Sequence, residues 1–191
     1  DSVGRRLITH AGTSYGGPIN GRRSVKDLER AGVGAIQIED QAWPKKCGHE
    51  PGRKIVDTEE MIGRIKAAVD ARSDQNLIII ARTDARTTLG IDAAIERALV
   101  YQEAGADVLF VESPEDESEM RLINERIKGP TLANMVEGGR TPVLPAAELQ
   151  DIGYALAIFP NSLTRMIANQ GAAMLSVLKQ TGATADFSDR M

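Results

Sequence analysis

The chain has 191 residues and a formal net charge of −4, with 42% hydrophobic and 26% charged residues. That suffices for one domain with its own core and excludes a disordered chain. Acidic and basic residues are interspersed, and no apolar run nears the ~20 residues of a membrane span, so neither nucleic acid nor membrane is expected as a partner. The single cysteine, Cys47, allows no intrachain disulfide and fits a reducing compartment. Asp1-Ser2-Val3-Gly4-Arg5-Arg6 lacks an apolar signal-peptide core. The expectation is a cytoplasmic protein.

In chain order, Leu7-Ile8-Thr9 is a weak strand and Ala35-Ile36-Gln37-Ile38 a stronger one. A helix follows Asp57, where D-x-x-E (Asp57, Glu60) suggests a capping box ahead of an apolar face of Met61, Ile62, Ile65, Ala68 and Val69. Leu77-Ile78-Ile79-Ile80-Ala81 is continuously apolar, as expected of a strand buried on both faces of a parallel sheet. Ile91, Ala94, Ile95, Ala98 and Leu99 mark a second helix, and Val108-Leu109-Phe110-Val111 the next strand. Residues 115–128 run from acidic to basic, matching a helix dipole. Thr131-Leu132-Ala133 and Leu156-Ala157-Ile158-Phe159 are strands, and Leu163 to Leu178 is a final apolar helix. Ala31-Gly32 and Ala104-Gly105 each precede a strand, where glycine suits a helix C-terminus.

Strands alternating with helices at roughly 30-residue intervals give an α/β fold with a parallel sheet. A doubly wound sheet would fit, but a dinucleotide-type glycine signature is absent. A (β/α)₈ barrel is favoured because polar residues cluster at the C-terminal strand ends, where barrels carry their sites. Six βα units can be counted where a closed barrel needs eight, so residues 1–191 read as a single, incomplete barrel domain.

Those strand ends carry Glu39 and Asp40, Arg82 and Asp84, Glu112, Asn134 and Glu137, and Asn161 and Ser162. Any one carboxylate here could be an N-cap, and Arg82 could simply pair with Asp84. Recurrence at one level of the fold points instead to a site for a small polyanion and a hard cation, because hard cations take oxygen ligands and guanidinium clamps carboxylate. The loop 41–53 is long for a βα connection and suggests a lid. It carries Cys47, preceded by Lys45 and Lys46, whose charge lowers a thiol pKa. Zinc is not expected, since His10 and His49 are the only histidines.

Lys45-Lys46-Cys47-Gly48-His49 resembles the K-[KR]-C-G-H signature of the isocitrate lyase and phosphoenolpyruvate mutase superfamily. In the same order, Gln37 to Gln41, Ile80 to Ala85, Phe110 to Pro114 and Asn134 to Pro142 resemble its other strand-end motifs. The likeness covers nearly the whole chain and is greatest to the 2-methylisocitrate and 2,3-dimethylmalate lyase types. It implies Mg²⁺-dependent cleavage, with Mn²⁺ as an alternative ion, of a branched 2-hydroxy di- or tricarboxylate to a 2-oxo acid such as pyruvate plus a carboxylate. By the same resemblance Cys47 is the proton donor, Arg82 holds a carboxylate and Glu39 orients metal-bound water. Lys46, Gly48, His49, Glu112, Asn134 and Ser162 contact substrate, and the assembly is a homotetramer.

One departure stands out. The family motif D-A-D-T-G-Y-G-G reads His10-Ala11-Gly12-Thr13-Ser14-Tyr15-Gly16-Gly17 here, so His10 and Gly12 replace the acidic pair that anchors the metal. This leaves Glu39 as the metal-facing carboxylate. It also keeps open a non-catalytic carboxylate-binding relative, alongside oxaloacetate hydrolase or decarboxylase and phosphonate mutase chemistry.

Overall fold

The computed structural model describes residues 7–46 and 52–190. Its elements are β1 (Ile8–His10), α1 (Pro18–Arg30), β2 (Ala35–Glu39), α2 (Thr58–Ala71), β3 (Ile78–Thr83), α3 (Arg86–Leu89), α4 (Ile91–Glu103), β4 (Val108–Val111), α5 (Glu117–Arg126), β5 (Leu132–Asn134), α6 (Ala146–Ile152), β6 (Leu156–Ile158) and α7 (Ser162–Thr181), followed by a 3₁₀ turn at Ala185–Arg190. All six expected strands form.

Within each of two ladders, every strand pairs in parallel with the next in sequence. β1 to β4 form one ladder and β5 to β6 another. A bridge between Leu109 and Thr131 joins the two ladders, with the Leu109 N–H donating to Pro130 O at 3.0 Å. A doubly wound sheet reverses its strand order at a switch point. This order never reverses, as in an arc of a barrel wall.

Side-chain alternation divides the strands into two faces. Ile36, Ile38, Ile79, Ala81, Leu109 and Val111 face outward into a core with Met61, Ile65, Ala68, Ile95, Ala98 and Tyr101. Ala35, Ile80, Val108, Phe110 and Leu132 form the inner cluster. Two residues further along β3, β4 and β5, the same inner face carries Arg82, Glu112 and Asn134. Burying the five large aliphatic side chains Ile36, Ile38, Ile79, Leu109 and Val111 on the outer face contributes ~10 kcal/mol before entropy is counted.

The glycines expected at helix ends hold positive φ, +85° at Gly32 and +107° at Gly105. The capping box is corrected: Asp57 is the N-cap of α2 but its side chain makes no capping bond. Glu60 is instead taken by Arg64 Nη2 at 2.6 Å, and Arg64 Nη1 donates to the carbonyls of Glu39 (3.0 Å) and Gln41 (3.2 Å). An ion pair on α2 thus anchors the C-terminal end of β2. A side-chain cap does form at α5, where Asp116 accepts from the Glu119 N–H at 2.9 Å.

α7 buries none of its residues; Leu163, Met166, Ile167 and Leu175 are all more than half exposed. Among the described residues, no helix is long and apolar enough to cross a membrane.

Candidate functional site

The inner-face positions at the C-terminal strand ends converge on one cavity. It has a volume of about 460 Å³ and is lined by His10, Gln37, Lys45, Arg82, Glu112, Asn134, Val136, Ile158, Pro160 and Asn161. His10 pairs in register with Gln37, and Glu39 with Arg82, so neighbouring strands place these groups side by side.

Arg82 is at the centre. Its Nε and Nη2 donate to the two oxygens of Asp84, each at 2.9 Å, and Nη1 lies 3.2 Å from Glu112 Oε2. The guanidinium also stacks 5.1 Å from the centre of the Phe110 ring. Arg82 thus pairs with Asp84 and Glu112 and also lines the cavity. Burial alone would lower its pKa, but Glu112 and Asp84 outweigh that and hold it up. Arg53 binds the same Asp84 oxygen and also Thr87 Oγ1 (2.6 Å), tying the return of the long loop to the end of β3. Burial pushes the Asp84 carboxyl up, yet Arg82 and Arg53 bring it below the usual carboxylate range.

Asp40 serves the scaffold. Alternation turns it outward from Glu39, and it accepts from Thr83 Oγ1 (2.7 Å), Tyr101 Oη (3.0 Å), Arg97 Nη1 (3.3 Å) and the Asp84 N–H (2.9 Å). This network joins the ends of β2 and β3 to α4.

Glu39 is fully buried, and neither of its oxygens has a hydrogen bond of ordinary geometry. Its neighbours are Lys45 Nζ at 3.2 Å, His10 Nε2 at 3.5 Å and Arg82 Nε at 3.7 Å. Burial pushes its pKa up against the pull of Arg82. Lys45 Nζ also lies 3.0 Å from His10 Nε2, and the Gln37 side-chain amide lies 3.1 Å from Nδ1. Burial, Lys45 and Arg82 together lower the His10 pKa to about 4, so the ring is neutral near pH 7. Three carboxylates (Glu39, Asp84, Glu112) thus meet three cations (Lys45, Arg53, Arg82), which offsets the cost of burying them.

The long loop reaches this place through its base. Gln41 bridges Ile55, Ala42 N–H donates to Lys54 O (2.8 Å), and the Gln41 side chain holds Lys46 by two bonds to its backbone, at 2.9 and 3.0 Å. That clamp directs Lys45 into the cavity. Lys45 and Gln37 line the site although sequence reasoning selected neither; the strand alternation at Gln37-x-Glu39 was the available signal for Gln37. Cys47, Gly48 and His49 lie outside the described residues.

Glu112 accepts from Ser113 Oγ (3.0 Å) and from Asn134 Nδ2 (3.2 Å). The Asn134 Oδ1 is buried with no hydrogen-bond partner among the described residues, an acceptor left for a ligand. The Ser162 hydroxyl donates to Glu137, and the adjacent Asn161 lines the cavity.

The magnesium implied by the sequence resemblance can be tested against these donors. Mg²⁺ wants oxygen ligands in octahedral array. His10 offers one imidazole nitrogen, Gly12 no side chain, and Asp84 is engaged by two arginines. Among the described residues, no three His, Cys, Asp or Glu side chains come together to hold a metal ion. The donor set does not fit Mg²⁺.

The phosphoenolpyruvate phosphomutase family model matches residues 2–179. The chain is 52% identical over its full length to a 2,3-dimethylmalate lyase of Eubacterium barkeri, spanning 66% of that protein. It is 43% identical over 97% of its length to a 2-methylisocitrate lyase of Aeropyrum pernix, spanning 59% of that protein. A solved oxaloacetate acetylhydrolase in complex with 3,3-difluorooxalacetate superposes with a TM-score of 0.93 at 32% identity, covering 97% of this chain and 63% of that one. The chain therefore spans about three fifths to two thirds of its relatives' lengths. With strand order, site level and motif order all in agreement, the chain belongs to the isocitrate lyase and phosphoenolpyruvate mutase superfamily of (β/α)₈ barrels.

Proposed function

We propose that the protein carrying this chain is a carbon–carbon lyase, cleaving a branched 2-hydroxy di- or tricarboxylate of the 2,3-dimethylmalate or 2-methylisocitrate type. The observation that carries this reading is the pairing of cations with an orphaned acceptor around one cavity. The cationic groups of Lys45 and Arg82 that line the cavity suit carboxylates, and buried Asn134 Oδ1 suits a hydroxyl donor. A ligand bearing both groups on adjacent carbons satisfies all three.

In the reaction, a general base takes the proton of the 2-hydroxyl and the C2–C3 bond breaks. The C2 oxygen becomes the carbonyl of a 2-oxo acid. The electron pair passes to C3, where the neighbouring carboxylate delocalises it until a proton arrives. For 2,3-dimethylmalate the products balance as pyruvate and propionate. Lys45 and Arg82 hold fixed positive charge where oxyanion charge develops, which lowers the barrier because the cations need no reorganisation. Cys47, in the loop beyond the Gln41 clamp, is the proposed proton donor to C3. Glu112, held by Ser113 and Asn134, orders the opposite wall.

A second reading, a carboxylate-binding relative without turnover, is favoured by one observation: His10 and Gly12 stand in place of the acidic pair. A panel of 2,3-dimethylmalate, 2-methylisocitrate, isocitrate and oxaloacetate, assayed for 2-oxo acid release with wild type and Cys47→Ser, separates them. The lyase reading expects release that collapses in the serine variant. Folded protein that binds these acids and turns none over would establish the second reading. The exposed apolar face of α7 further suggests a homo-oligomer, and we assign the protein to the cytoplasm on its single cysteine.

A further inference from the structure

The place where a divalent cation would be sought is taken by a side chain. Lys45 Nζ lies between His10 Nε2 (3.0 Å) and Glu39 Oε1 (3.2 Å), the two groups that face each other across the end of β1 and β2. Three further observations make this a built arrangement. Among the described residues, fully buried Glu39 has neither oxygen hydrogen-bonded, and Lys45 is the nearest charge that neutralises it. The Lys45 stem packs over Gly12, where a Cβ would lie 3.6 Å from Lys45 Cδ. The backbone just after Lys45 is fixed by the two Gln41 bonds. His10, Gly12 and Lys45 thus act as a set: the imidazole lies against the ammonium, the glycine lies beneath the Lys45 stem, and the ammonium fills the gap between His10 and Glu39.

We propose that Lys45 replaces the divalent cation in this chain, and that the cavity binds a small 2-oxo carboxylate or dicarboxylate without metal. Lys45 supplies the charge nearest β1, and Arg82, held by Asp84 and Glu112, supplies the second. This rests on the cavity being the carboxylate site argued above.

The test is calorimetric titration of oxalate into the intact protein, once in excess EDTA and once in excess Mg²⁺. The proposal expects equal affinities within about twofold. It also expects Lys45→Met to weaken binding in EDTA by at least about tenfold, and Lys45→Arg, which keeps the charge, to lose less. Thermal melts of both variants confirm that they are folded. Binding that requires Mg²⁺ would overturn the metal-free assignment and leave the carboxylate site standing. No oxalate binding in either buffer would overturn the carboxylate site itself, and this inference with it. Undiminished binding by folded Lys45→Met would overturn the role of Lys45 alone.

Discussion

Asp40→Asn is the sharpest test of how the site is held. Asp40 is fully buried, and its Oδ2 accepts from Thr83, Tyr101 and Arg97 while Oδ1 accepts from the Asp84 N–H. Asparagine keeps Oδ1 and turns Oδ2 into a donor facing three donors. The two hydroxyls can rotate away. Arg97 cannot, and retains only Val56 O (3.0 Å) and Tyr101 Oη (3.1 Å). Removing one partner of a buried pair costs ~3–5 kcal/mol. Some of this returns, because burial already pushes the Asp40 carboxyl up and a neutral amide escapes that penalty. The net expectation is a loss of about 2–4 kcal/mol, or roughly 5–15 °C in Tm for a domain of this size. Urea unfolding of Asp40→Asn, Tyr101→Phe and the double variant measures it. The double variant should fall short of additivity by about 1 kcal/mol, since the two residues share one bond. A loss under about 0.5 kcal/mol with full additivity would refute the claim that this network fastens β2 and β3 to α4.

Further outcomes follow from the same contacts. In an NMR titration, the His10 ring, identified by its loss in His10→Gln, should stay neutral from pH 8 to below pH 5. Because its folded pKa lies below the unfolded value of about 6.5, the unfolded chain binds more protons between pH 4 and 6.5, so His10 lowers stability as pH falls through that window. A midpoint near 6.5 would contradict the Lys45 and Arg82 placement. Arg64→Met should destabilise by about 2–4 kcal/mol in chemical denaturation, since it strips donors from the Glu39 and Gln41 carbonyls, whereas Glu60→Gln at the exposed end of the pair should cost under about 1 kcal/mol. Residues 1–191 expressed alone should self-associate, because β1 and β6 each pair on one side only; a cooperative monomeric melt would contradict this.

The strands were legible because they are apolar runs of β-branched residues, and residues 77–81 needed no other signal. The inner polar ring was legible in part: the strand ends drew attention to Glu39, Arg82, Glu112 and Asn134, all of which meet at the cavity or its wall. α1 escaped because its apolar face is narrow, with only Gly21 and Val25 buried and Leu28 packed beside them, and α6 because seven residues carry too short a pattern. Which strand-end residue faces inward depends on alternation. Glu39 and Asp40 look equivalent in sequence, yet one faces the site and the other α4. That Lys45, and not Lys46, lines the cavity was hidden for another reason. Nothing local reveals that Gln41 will clamp the Lys46 backbone and turn its neighbour inward.

The most direct test of the proposed chemistry is to follow 2,3-dimethylmalate by ¹³C NMR in the presence of the intact protein, since the spectrum reports the broken bond itself. Carbon–carbon cleavage at this site predicts pyruvate and propionate appearing in equal amounts, with both lost in Arg82→Met. Unchanged 2,3-dimethylmalate and 2-methylisocitrate over folded, oxalate-binding protein would contradict the lyase and leave a carboxylate receptor built on the same barrel.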